Sequence, residues 1–182
     1  SVAIGQNSGA NNQGQNCVSI GPGAGQISQS NNAVAIGSNA GQTQQGPSAV
    51  AIGQSAGSIT QGSNAIAIGQ SAGNNTQGSN AIAIGRFAGA VSQGSNSISI
   101  GQNAGYTFQG QNAVAIGSSA GENYQAFNTF GYGSIAIGQF AGQYSQDYRA
   151  VAIGESSGQL SQGQYSVAIG HSSGLNNQLA VA

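Results

Sequence analysis

The chain has 182 residues, of which 3% are charged, and its two arginines and three acids leave a net charge of −1. Soluble proteins ordinarily carry about a quarter of their residues as charges. So sparse a set offers no basic patch for nucleic acid, and no apolar run approaches the ~20 residues of a membrane-spanning helix.

Little charge also means little colloidal repulsion, which suits a protein that ends up assembled or glycosylated. Cys17 is the single cysteine, so no internal disulfide can form. No signal peptide opens the chain, and any such segment is expected to have been removed.

The chain opens on SVAIG and restates it, as AVAIG, AIAIG or SISIG, along its whole length. Aligned on this phrase it divides into eleven units beginning at residues 1, 17, 33, 49, 65, 81, 97, 113, 134, 150 and 166. The period is 16 throughout, except for an eighth unit of 21. In each unit slots 1–4 alternate small and branched residues. Slot 2 is Val or Ile, slots 1 and 3 are Ala or Ser apart from Cys17, and slot 4 is always Ile.

Alternation predicts a β-strand with one branched face and one tiny face. The branched face is expected to form the core. Its slot-4 ladder would be Ile4, Ile20, Ile36, Ile52, Ile68, Ile84, Ile100, Ile116, Ile137, Ile153 and Ile169. The tiny face is expected to lie outside, flat enough for close contact between sheets.

Glycine fills slots 5 and 9 of every unit. An unvarying glycine points to a turn of positive φ or to backbone too near for a Cβ. Slots 10–13 predict a second short strand and slots 14–16 a second turn. Slot 13 is Gln in every unit: Gln13, Gln29, Gln45, Gln61, Gln77, Gln93, Gln109, Gln125, Gln146, Gln162 and Gln178. A solvent-facing slot would drift, so these amides are expected to stack at the ~4.8 Å rung spacing and hydrogen-bond one to the next. Asn at slot 16 suggests a second ladder.

Two strands and two turns per unit predict an all-β, parallel β-solenoid of eleven ~16-residue coils, a flattened two-sheet roll forming one domain over residues 1–182. Slots 2 and 4 are expected to face slots 11 and 13 across its interior. The repeats Ser1-Val2-Ala3-Ile4-Gly5, Ala49-Val50-Ala51-Ile52-Gly53 and Ser166-Val167-Ala168-Ile169-Gly170 resemble those of trimeric autotransporter adhesin heads and related viral and phage fibre proteins. That resemblance implies a left-handed roll, self-association of three chains and a place on a cell or virion surface.

The two halves differ. Residues 1–85 contain no aromatic and no charged residue. The extra five residues of unit eight predict a loop insertion over residues 126–133, which carries Phe127, Phe130 and Tyr132. Together with Phe87, Tyr106, Phe108 and Tyr144 these are candidate contact or recognition residues, for a subunit or for a glycan or host surface, and Tyr124, Phe140, Tyr148 and Tyr165 extend the same half.

Chemistry is poorly supplied. His171 stands alone, Glu122 and Asp147 form no evident pair, and Cys17 fills a small slot. No Asp recurs as calcium-binding repeats would need. No enzyme, cofactor or metal site is expected. Asn74-Asn75-Thr76 is the one glycosylation sequon.

Residues 1 and 182 both fall in slot 1 with no capping segment. The chain is therefore expected to be a piece of a longer protein or to join other copies end to end. The leading expectation is a non-enzymatic structural subunit of an extracellular fibre, filament or adhesin shaft, assembling with itself through its ends and its small-residue faces. The alternatives are an ice-binding solenoid that uses the flat tiny face, and a carbohydrate-binding tip built on the aromatic loop.

Overall fold

The computed structural model describes residues 1–126 and 133–178. Among them there is no helix. Eleven three-residue strands, from Val2–Ile4 to Val167–Ile169, form one long parallel sheet, and six strands, from Gln44–Gln45 to Asn123–Gln125, form a second. Outside those six, isolated parallel bridges such as Gln29 to Gln45 and Gln146 to Gln162 continue the second sheet's pattern. The chain is a parallel β-solenoid, each coil laying its strands slot on slot against the coil before, as in Val34↔Val50, Ala35↔Ala51 and Ile36↔Ile52.

Each coil closes through two tight turns. In coil 3 the Ala40 N–H donates to the Gly37 carbonyl at 3.2 Å, and the Ala49 N–H donates to the Gly46 carbonyl at 3.3 Å. The third residues of these turns, Asn39 and Ser48, both have φ of 56°. A type II turn needs positive φ at that place, which Asn tolerates better than most residues, and favours proline just before it. Both prolines obey the rule: Pro22 precedes Gly23 (φ 67°) and Pro47 precedes Ser48.

Glycines at slots 5 and 9 have separate reasons. At Gly37, φ is +127°, and a Cβ would lie 2.7 Å from the backbone carbonyl of Gly53 in the next coil. At Gly41, φ is +51°, and a Cβ would lie 2.8 Å from the side-chain amide of Gln45. The first glycine lets coils stack. The second makes room for the glutamine.

The interior reverses the expected faces. Slots 1, 3 and 8 point inward, so Ala33, Ala35 and Ala40 are fully buried together with Gln45. Slots 2 and 4 point outward. Of the expected slot-4 core ladder, Ile4, Ile68, Ile100, Ile137 and Ile169 are exposed, and Ile20, Ile36, Ile52, Ile84, Ile116 and Ile153 are half-buried. Slot 11, expected inside, faces out as well, as at Ile27 and Ile59.

The reason is width. A 16-residue coil brings its sheets too close for two branched side chains between them, and overpacking an interior is as costly as emptying it. Alanine methyls and one glutamine per coil fill the gap. The tiny face is therefore a contact within the coil, and it is not available to another sheet.

The buried glutamines carry their own hydrogen bonding. Gln45 Nε2 donates to the Val34 carbonyl at 2.7 Å and to Gln61 Oε1 at 3.2 Å, and Gln45 Oε1 accepts from Gln29 Nε2 at 3.0 Å. The same two donations recur at Gln61, Gln109 and Gln146. A primary amide has two N–H donors and an acceptor, and this arrangement uses all three. Where slot 3 is serine, its hydroxyl adds a bond: Ser19 and Ser99 donate to Gln29 and Gln109 Oε1, each at 2.7 Å. At one rung the acceptor stands alone: Gln93 Oε1 is buried without a partner.

Candidate functional site

Two outer surfaces are the candidates for contact. The first is the long sheet's outer face. Because slots 2 and 4 alternate with inward alanines, every one of its strands presents two branched side chains to the outside, from Val2 and Ile4 to Val167 and Ile169. Slot-on-slot register lines them up as two continuous columns. Even at the middle of the rod, Ile68 and Ile100 keep 36% of their surface exposed. Isolated exposed apolar side chains are ordinary, but a contiguous patch running the length of a molecule is not.

The second surface is the aromatic half. Phe87 sits in slot 7, where every other coil but those of Gly23 and Phe140 places Asn or Ser, with φ of 57°, and its ring meets Tyr106 of the next coil edge-on at 6.1 Å. The Arg86 guanidinium lies 4.9 Å from the Phe87 ring centroid, within cation–π range. Phe108 and Tyr124 occupy slot 12 of consecutive coils and stack with centroids 5.6 Å apart and planes 17° from parallel. Tyr144 follows on the next coil, bridged to Asn123. Beside these rings Gln159 Nε2 donates to Gln143 Oε1 at 2.9 Å, and Gln143 Nε2 donates to Glu122 Oε2 at 2.7 Å.

A third group of rings lies at the slot 14–16 turn. Tyr148 and Tyr165 meet edge-on at 5.3 Å, and Arg149 Nη1 donates to the Tyr165 hydroxyl at 3.3 Å. The hydrogen bond between the two phenols lowers the pKa of Tyr165 and raises that of Tyr148, and the Arg149 charge favours the Tyr165 phenolate further.

The structure brings Phe87 and Tyr106 together, and it places Phe108 and Tyr144 on the second sheet's outer face. Phe127, Phe130 and Tyr132 lie outside the described residues, as does the expected loop apart from Ala126 and Gly133. Tyr124, another of the aromatic residues of this half, is exposed and stacked on Phe108.

Among the described residues no three His, Cys, Asp or Glu side chains gather as a metal site would need, and no helix is long and apolar enough to cross a membrane. Cys17 is buried, its thiol donating to the Ser30 carbonyl at 3.0 Å. The sequon amide Asn74 Nδ2 donates to the Ser55 carbonyl at 2.9 Å. At slot 16, Asn64 donates to Asn80 at 3.3 Å and Asn80 to Asn96 at 3.1 Å.

No curated protein and no solved structure matches the chain significantly. One family model does: the YadA head domain repeat matches residues 77–104 in two copies. Over that stretch the chain is similar to the SVAIG-type repeat found in the heads of trimeric autotransporter adhesins.

Proposed function

We propose that this chain is a non-enzymatic structural segment of an adhesin head or surface fibre, and that its copies pack against one another through the Val/Ile face. The observation that carries the reading is the direction of slots 2 and 4. An apolar column along the whole long sheet costs about 25 cal/mol for each Å² left in water, and a second copy carrying the same column covers it. The second sheet, rich in Asn, Gln, Thr and Ser, then forms the outside of the assembly. The match to an adhesin head repeat over residues 77–104 supports the same arrangement, three copies around one axis, displayed at a cell or virion surface.

The ice-binding alternative loses its surface, because the flat small-residue face it used is the interior of the coil. Assembly through small-residue faces fails for the same reason.

Light scattering over a concentration series, with electron microscopy of the same samples, tests the proposal. Particles of a small fixed number of copies, seen as rods thicker than one chain, are expected. A monomer that persists at high concentration overturns it.

A further inference from the structure

We propose that the outer face of the second sheet in coils 7–9 is a platform for a neutral carbohydrate chain, with Phe108, Tyr124 and Tyr144 as its aromatic floor. The face lies opposite the Val/Ile columns, so the inference stands whether or not copies assemble there.

The rings are out of keeping with the coils around them. Slot 12 holds Ser28 and Ser92 at φ of 54° and 56°; Phe108 and Tyr124 hold the same left-handed backbone at 52° and 56°. Bulky side chains rarely accept that region, and such outliers cluster at functional sites. Nothing in the core requires the rings, since the inward glutamines Gln109 and Gln125 bond as they do elsewhere. Yet Tyr124 is 46% exposed and Tyr144 is 44% exposed. Rings set on successive coils of a rigid ladder are held in place before any ligand arrives, which lowers the entropic cost of binding.

Charge selects the occupant. The acidic group beside these rings, Glu122, already accepts from Gln143, and Gln143 accepts from Gln159. No cation stands in slots 10–13 of coils 7–9, and the whole chain has only two arginines. Such a face offers nothing to a polyanion. It offers aromatic rings, the phenolic hydroxyls of Tyr124 and Tyr144, and side-chain amides. Those suit a ligand with apolar C–H faces and hydroxyl edges, which is the chemistry of a neutral sugar ring.

The test titrates the full chain by calorimetry with cellohexaose, mannohexaose and chitohexaose, and with a heparin hexasaccharide as the charged comparison. The chain has no tryptophan, so tyrosine fluorescence gives a second readout. The double variant Tyr124→Ser, Tyr144→Thr installs residues that slots 12 and 11 already hold in Ser92 and Thr43, so the coil is expected to melt as the parent does. Binding of at least one neutral hexasaccharide, weakened about tenfold or more in the double variant, is expected. No neutral binding, binding equal in parent and variant, or heparin binding as tight overturns the proposal. So does a loss of self-assembly in the variant, which would make a second copy the occupant of this face.

Discussion

At slot 13 a glutamine does the work that leucine does in most cores. Amides such as Gln45 and Gln61 are tied to the slot-2 carbonyl of their own coil and to the amides above and below. Removing one side chain leaves a cavity and several buried polar groups unpartnered. Gln61→Ala is expected to cost about 3 kcal/mol or more, read as a lower denaturant midpoint. Gln93→Ala starts from a rung whose acceptor is already alone, so its penalty is expected to be smaller than that of Gln61→Ala. The tyrosine pair at the turn makes a separate prediction. Tyr165 is expected to ionise below the ordinary phenol range and Tyr148 above it. Tyr148→Phe removes the bond that holds the Tyr165 phenolate and should move its spectrophotometric titration upward. A lowered folded-state pKa adds stability only above the pH at which the phenol ionises, so the pair has no such effect at neutral pH.

At the scale of the strand and turn, much was legible. Alternation in slots 1–4 gave the long sheet, and the glycines marked the coil's tight places. The constant glutamine pointed to a stacked interior. The choice of face was not legible by the usual rule that the larger apolar side chains go inside. That rule assumes an interior wide enough to hold them. The constancy of Ala and Ser in slots 1, 3 and 8, beside a glycine that a Cβ would drive into Gln45, was the sign of a narrower one. Across the longer eighth unit the flanking strands keep register, Val114 opposite Ile135 and Ala115 opposite Ala136. Deleting residues 127–131 restores a 16-residue spacing and is expected to leave the circular dichroism spectrum and melting temperature nearly unchanged. A collapse of the melting transition would show that the inserted residues hold the coils together.

On the scale of the whole rod, the inversion of faces decides function. A solenoid that hides its small residues and shows its Val and Ile residues leaves a continuous apolar surface, and the proposed assembly covers it. The aromatic half is unlike the first five coils, which carry neither ring nor charge. One sheet thus shows Val and Ile columns along its length, and the other changes from plain amides to rings partway along. The rings escaped a purely sequence-based placement because positive φ at slot 12, as at Phe108 and Tyr124, breaks the strict alternation that would set slots 11 and 12 on opposite faces.

The most direct measurement is sedimentation velocity on three proteins: the parent, the double variant Ile68→Lys, Ile100→Lys on the long sheet, and Thr60→Lys, Thr76→Lys on the second sheet. Both variants place their new charges on exposed or half-buried outward positions, so both are expected to keep the parent's β spectrum. The parent and the threonine variant should sediment as the same assembly, and the isoleucine variant as a monomer. An isoleucine variant that assembles as the parent does would contradict the account, because the Val/Ile columns would then not be the joint.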